Sequence, residues 1–221
     1  VALPEGSFPS DDAVVGFVQQ LTDQVSALPG VHAAGAVAGV PLVSQRGDIG
    51  IALEGRPVPP GAVHAQADWQ VATPGYFRAV GIPLVAGRLL PPPDPAGSPS
   101  DAPPEVMVSA AFARHYWSGA SAIGKRVRMN PAFPPAQIVG VVGDARDAAL
   151  GDPPSEIDDA AAGPRSAAGA PWTPHTVAFI VRTSGEPGSL IVPAERALAA
   201  LDPSLPLYGV MPLDALLAGA T

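Results

Sequence analysis

There is no cysteine among the 221 residues of this chain. That removes a disulfide scaffold, a thiolate metal site and a cysteine nucleophile together. Charge is sparse: 14% of residues are charged, with 12 Lys and Arg against 20 Asp and Glu, for a formal net charge of −8. The one dense basic run is Lys125-Arg126-Val127-Arg128. A nucleic-acid binder needs a basic footprint to displace counterions from phosphates, so that class of partner is excluded. No apolar run reaches the roughly 18–20 residues that span a bilayer, and no basic, apolar, small-residue leader opens the chain. It begins at Val1-Ala2-Leu3, as a segment cut from something longer would.

What the chain does have is glycine (24) and proline (29), together about 24% of its residues. Without a period, that lies near the roughly 25–30% at which disorder is suspected. Against it stand 47% hydrophobic residues and several periodic segments, which together predict a folded unit with long Pro-rich loops. At this length a chain buries about 70% of its unfolded surface and needs no staple.

Ser10-Asp11-Asp12 offers a cap and an acidic first turn, and Val14, Val18, Leu21, Val25 and Leu28 recur at helical spacing until Pro29-Gly30. Strands are expected over 31–39 and Ile49–Leu53, then over Val63–Val71, where Val63, Ala65, Ala67, Trp69 and Val71 alternate with polar residues. The stretch VATPGYFRAVGIPLVAGR follows directly. Thr73 as cap and Pro74 at the first helical position predict a short helix lined by Tyr76, Phe77 and Val80 and ended by Gly81 and Pro83. Residues 90–104 read as a Pro/Ser/Asp loop. Glu105–Val108 reads as a strand, and Ser109 as the cap of a helix through Trp117. Lys125–Met129 is expected as a strand with Arg126 and Arg128 on its wet face, and Gln137–Val142 as a buried strand. Residues 151–175 read as loop. Near the end come a strand Thr176–Thr183, a helix Ser189–Leu201 with Pro193 in its first turn, a strand Leu205–Val210 and a helix starting at Leu213.

Reactive chemistry is hard to find. Gly119 to Lys125 fits G-x4-G-K, but a phosphate loop needs Ser or Thr next, where Arg126 stands, and a strand before with a helix after. His32, His64, His115 and His175 are scattered, without the spacing of a metal motif. No Ser sits in a G-x-S-x-G elbow. Asp144, Asp147, Asp158 and Asp159 are the densest carboxylates and lie in Gly- and Ala-rich stretches, where solvated acids are expected rather than a catalytic pair.

Taken in order, Leu28-Pro29-Gly30-Val31, the block Thr73 to Leu84 with Gly87-Arg88, Phe112-Ala113-Arg114 with Tyr116-Trp117, Ile123 to Val127, Ile138 to Asp144, Val181-Arg182-Thr183 and Leu201 to Pro206 form a set. That set resembles the periplasmic core domain of MacB/FtsX-type ABC-transporter permeases, most of all the duplicated permeases of acidobacteria. The chain departs from the family's pattern at Ser109-Ala110, often Asn-Glu, and at Ile157-Asp158-Asp159-Ala160, often a Tyr-Leu-Pro strand.

The resemblance implies an α+β fold of two lobes. A discontinuous ferredoxin-like (porter-like) βαβ lobe would take 1–62 and 174–221, and an inserted small α/β lobe would take 63–173. It implies a domain on the periplasmic side of the cytoplasmic membrane that is not an enzyme, has no cofactor and no metal, and couples ATP-driven movement of membrane helices to export or to partner proteins. A periplasmic binding module for a lipid or peptide in an interlobe cleft is the other reading. Its partners would be the transmembrane helices of its own permease chain and an ATP-binding domain or subunit, with a second permease copy or a periplasmic adaptor as further contacts. Pro74, Gly75, Tyr76, Phe77, Gly87, Arg88, Tyr116, Trp117, Gly124 and Arg126 are the motif positions, expected to be structural.

Overall fold

The computed structural model describes residues 1–38, 48–56, 65–92, 103–128, 134–144, 158–162, 175–213 and 215. Its first helix, α1 (Asp11–Ser26), starts where Ser10 Oγ accepts the Ala13 N–H at 3.2 Å. The apolar stripe then buries Val14, Phe17, Val18, Leu21 and Val25 against the small residues of β1 (Val31–Val37). The remaining elements run β2 (Asp48–Leu53), β3 (Ala65–Val71), α2 (Pro74–Val80), β4 (Leu84–Gly87), β5 (Glu105–Ser109), α3 (Ala110–Trp117), β6 (Arg126–Arg128), β7 (Ala136–Val142), β8 (Asp158–Ala162), β9 (Ala178–Thr183) and α4 (Ile191–Leu201).

Two sheets organise them. β1 and β9 form an antiparallel pair, with α1 and α4 packed together over it. Val1–Leu3 runs antiparallel beside residues 175–177, the Val1 nitrogen donating to Val177 O at 2.9 Å and Leu3 N–H to His175 O at 2.7 Å. The other seven strands lie in the order β4-β7-β5-β8-β3-β2-β6, and β6 also pairs with β7, so six of them close into a ring. Ile51, Val106, Val108, Phe112, Val127 and Ile138 fill its interior. Along β5, Val106 and Val108 face that interior, whereas Met107 belongs to a separate cluster with Phe77, Val139 and Val142. Alternation of side chains across a strand puts successive residues on opposite faces. A strand covered on both faces must therefore be apolar throughout, which is why VMV and IVGVV read as unbroken runs.

Several expectations change. Leu205–Val210 is not a strand: Pro203, Pro206 and Pro212 withhold backbone donors and Gly209 has φ +66°, so the segment crosses as coil with Leu205 buried on the α1–α4 core. The stretch 151–175, expected as loop, contains β8, paired parallel to β3 and antiparallel to β5. Its sequence Asp-Asp-Ala-Ala-Ala has little strand propensity, and pairing on both edges overrides that. β2 pairs with β3 and β6, so the boundary expected between 62 and 63 separates two hydrogen-bonded strands. Pro193 lies in the first turn of α4, which a 3-10 turn over Pro187–Leu190 precedes. Val63, His64 and Asp147 lie outside the described residues, as do most of 90–104 and of the segment after Leu213.

Candidate functional site at the junction of the sheets

The two sheets meet where β1 ends and α2 begins. Val37 bridges Ala72 in antiparallel fashion, Ala38 N–H donates to Val71 O at 2.8 Å, and Thr73 N–H donates to Ala36 O at 2.8 Å. Thr73, expected to cap α2, makes no such bond: its Oγ1 accepts the Ala36 N–H at 2.8 Å and donates to Ala36 O at 3.4 Å. The hydroxyl thus ties the strand rather than the helix.

Glycine allows the approach. A methyl group built on Gly35 would sit 2.0 Å from the Tyr76 nitrogen, and one on Gly75 would sit 2.0 Å from Ala34 O. Neither position has room for a side chain, and glycine inside a strand marks such close backbone contact. The following Tyr76 and Phe77 are 3% and 4% exposed, edge to face with centroids 5.3 Å apart. They pack among Val37 and Ala72 on one side and Met107, Val139 and Val142 on the other, so one cluster spans both sheets.

The far end of α2 is held differently. Gly81 closes the helix at φ +91°, its N–H donating to Phe77 O at 2.9 Å, as does that of Ile82 at 2.8 Å. From β9, Arg182 Nε donates to Ala79 O at 2.9 Å, and a methyl on Gly81 would come within 2.7 Å of the Arg182 guanidinium.

The ten motif positions do not converge on one place. Pro74, Gly75, Tyr76 and Phe77 build the junction. Gly87, at φ +74° with no room against Val139 O, and Arg88, whose N–H donates to Val139 O at 3.0 Å and whose guanidinium pairs with Glu105, tie β4 along β7 and reach β5. Tyr116 and Trp117 flank Phe112, at 4.7 and 5.8 Å between centroids, in the ring core. Gly124, at φ +82°, donates its N–H to Ile138 O, and Arg126 is exposed on β6, 3.8 Å from Glu54. The Gly119–Lys125 segment is a turn from α3 into β6, and its order of elements is not that of a phosphate loop.

Gly35 and the arginine end of the junction were the residues that sequence reasoning missed as contact points. A lone glycine amid Ala33-Ala34-Gly35-Ala36-Val37 was the available signal. Asp144, expected as a solvated acid, takes the Ala111 N–H at 2.6 Å and Arg114 at 2.9 Å, fastening the first turn of α3 alongside the cap made by Ser109 to the Phe112 N–H.

No group of three or more His, Asp or Glu placed to hold a metal occurs among the described residues. Beside the junction lies a shallow apolar depression of about 270 Å³, open solvent included, bordered by Val14, Val18, Val37, Val71, Thr73 and Val177. No helix among the described residues is long and apolar enough to cross a membrane.

The family model described as MacB-like periplasmic core domain matches residues 4–200. In fold the chain is similar to the periplasmic region of MacB from Actinobacillus actinomycetemcomitans, at 13% identity over 90% of this chain and 73% of that one, with a TM-score of 0.51. It is likewise similar to the extracellular domain of the noncanonic ABC-type transporter YknZ from Gram-positive bacteria, at 14% identity over 88% and 89% of the two chains, with a TM-score of 0.53. No curated protein matches.

Proposed function

The chain belongs to the family of MacB-like periplasmic core domains, and from that premise we propose that it is a non-catalytic coupling element of an ABC-transporter permease. It would sit on the periplasmic side of the cytoplasmic membrane and carry movement of its permease's own transmembrane helices outwards. An ATP-binding domain or subunit would supply the energy, and a second permease copy or a periplasmic adaptor would receive the motion. In this reading the β1–β9 sheet with α1 and α4 is the porter-like lobe and the seven-stranded sheet is the inserted lobe. Of the described residues, those up to Ala38 and from His175 onwards fall in the first and those from Asp48 to Ala162 in the second.

One observation carries the proposal: backbone touches backbone where Gly35 meets Gly75, with Thr73 bonded across the same point. A displacement of β1 must then move the start of α2, because neither partner has a flexible side chain to absorb it. The alternative, a binding module for a lipid or peptide between the lobes, has the apolar depression in its favour. Its enclosed space is only about 10 Å³, far below the roughly 300–1,000 Å³ of small-molecule sites, which favours coupling.

The test is a permease carrying Thr73→Val or Gly75→Ala in this domain, assayed for ATP hydrolysis and export together. Hydrolysis retained with export lost is the expected pattern. Export per ATP equal to that of the parent overturns the coupling role.

A further inference from the structure

We propose that α2 is a strut with one permanent end and one releasable end, and that Arg182 is the catch at the releasable end. This deepens the coupling reading by naming where the two lobes can part.

The ends are built from different chemistry. At the first, Gly35 and Gly75 are in backbone contact, Thr73 Oγ1 is bonded to both backbone groups of Ala36, and Tyr76 and Phe77 bury their rings immediately behind. Opening that end would strand buried donors and expose two aromatic rings. At the second end Val80 and Ile82 pack on the cluster only partly buried, and the hydrogen bond across to β9 is made by one long side chain. Arg182 is exposed, and it uses Nε, one of the guanidinium's five N–H donors, on Ala79 O. Its other donors carry no hydrogen bond among the described residues. A carboxylate brought from outside would offer this guanidinium a two-point partner in place of one carbonyl. Gly81 has a second role beyond its φ of +91°: any side chain there would displace the Arg182 head. Release would loosen the last turn of α2 up to Ile82, while Pro83 O keeps the Gly143 N–H and Thr73 and Gly75 stay seated on β1.

Amide hydrogen exchange on this chain distinguishes the two ends without requiring transport. In Arg182→Gln, the Gly81 and Ile82 amides, which donate to Phe77 O, should exchange about 10- to 100-fold faster, as loss of a charge-assisted bond implies. The Ala36, Ala38 and Thr73 amides at the permanent end should keep their parent rates. Arg182→Lys, which retains a cation that can reach Ala79 O, should restore part of the protection. Gly81→Ala keeps the arginine but takes its space, and should accelerate exchange at Ile82. Unchanged rates at Gly81 and Ile82 in Arg182→Gln overturn the catch. Equal acceleration at Ala36, Ala38 and Thr73 overturns the division into two ends, whatever the permease assay returns.

Discussion

Phe77→Ala tests whether the junction holds the two sheets as one body. Phe77 is 4% exposed, stands edge-on to Tyr76 at 5.3 Å, and shares a cluster with Val37 from the two-stranded sheet and Met107, Val139 and Val142 from the ring. Truncation of a buried phenylalanine costs about 3–5 kcal/mol, and loss of the aromatic pair lies at the upper end of that range. For a chain of this size each kcal/mol lowers Tm by about 2–4 °C. The variant should therefore melt roughly 6–20 °C below the parent, followed by circular dichroism or calorimetry at matched concentration. The β5 and β7 side chains on its far side belong to the ring, so the loss should reach both sheets and not α2 alone. A melt that superimposes on the parent's would show that Phe77 is not a core residue and that the cluster does not join the sheets.

Further outcomes follow from the same contacts. Gly35→Ala forces a methyl to 2.0 Å from the Tyr76 nitrogen, so backbone must shift; overpacking of this kind costs about 1–3 kcal/mol, read as a lower urea midpoint, and a midpoint at the parent value would refute the close approach. Thr73→Val strips the acceptor from the buried Ala36 N–H and should cost about 1–3 kcal/mol, whereas Thr73→Ser should retain most of the stability in the same titration. Asp144→Ala removes the acceptor for the Ala111 N–H and should lower stability by about 1 kcal/mol, with amide exchange rising in the first turn of α3. The Ser204 hydroxyl and N–H both donate to the Asp202 carboxylate and hold its pKa below the ordinary value of 3.8. Its contribution is complete above that ordinary value and is lost as pH falls through the lowered one, so Asp202→Asn should flatten that part of the acid-unfolding curve.

Much of the architecture was legible from local chemistry. Ser10 with Asp11 and Asp12 announced α1, and Ser109 announced α3, because an N-cap oxygen and a first turn are made by neighbours in sequence. Buried Ala67 and Val71 follow the alternation read for their strand, and Val127 lies buried between exposed Arg126 and Arg128. The family set was recognisable for the same reason: turn and core residues sit at fixed offsets along the chain. Where partners came from far away, the reading failed. Asp158–Ala162 became a strand because two other strands flank it, and Leu205–Val210 did not because Pro206 lacks a donor and Gly209 turns the chain at positive φ. Thr73 looked like a helix cap because its neighbours invite one, yet its hydroxyl is claimed by Ala36, 37 residues earlier. Local spacing sets which segments can be helix or strand and which chemistry is missing. The meeting of Gly35 with Gly75, the closing of the ring and the reach of Arg182 to Ala79 depend on contacts between residues remote in the chain. Those contacts form only when burial of the clusters on both faces of β5 and β7 brings the two sheets together.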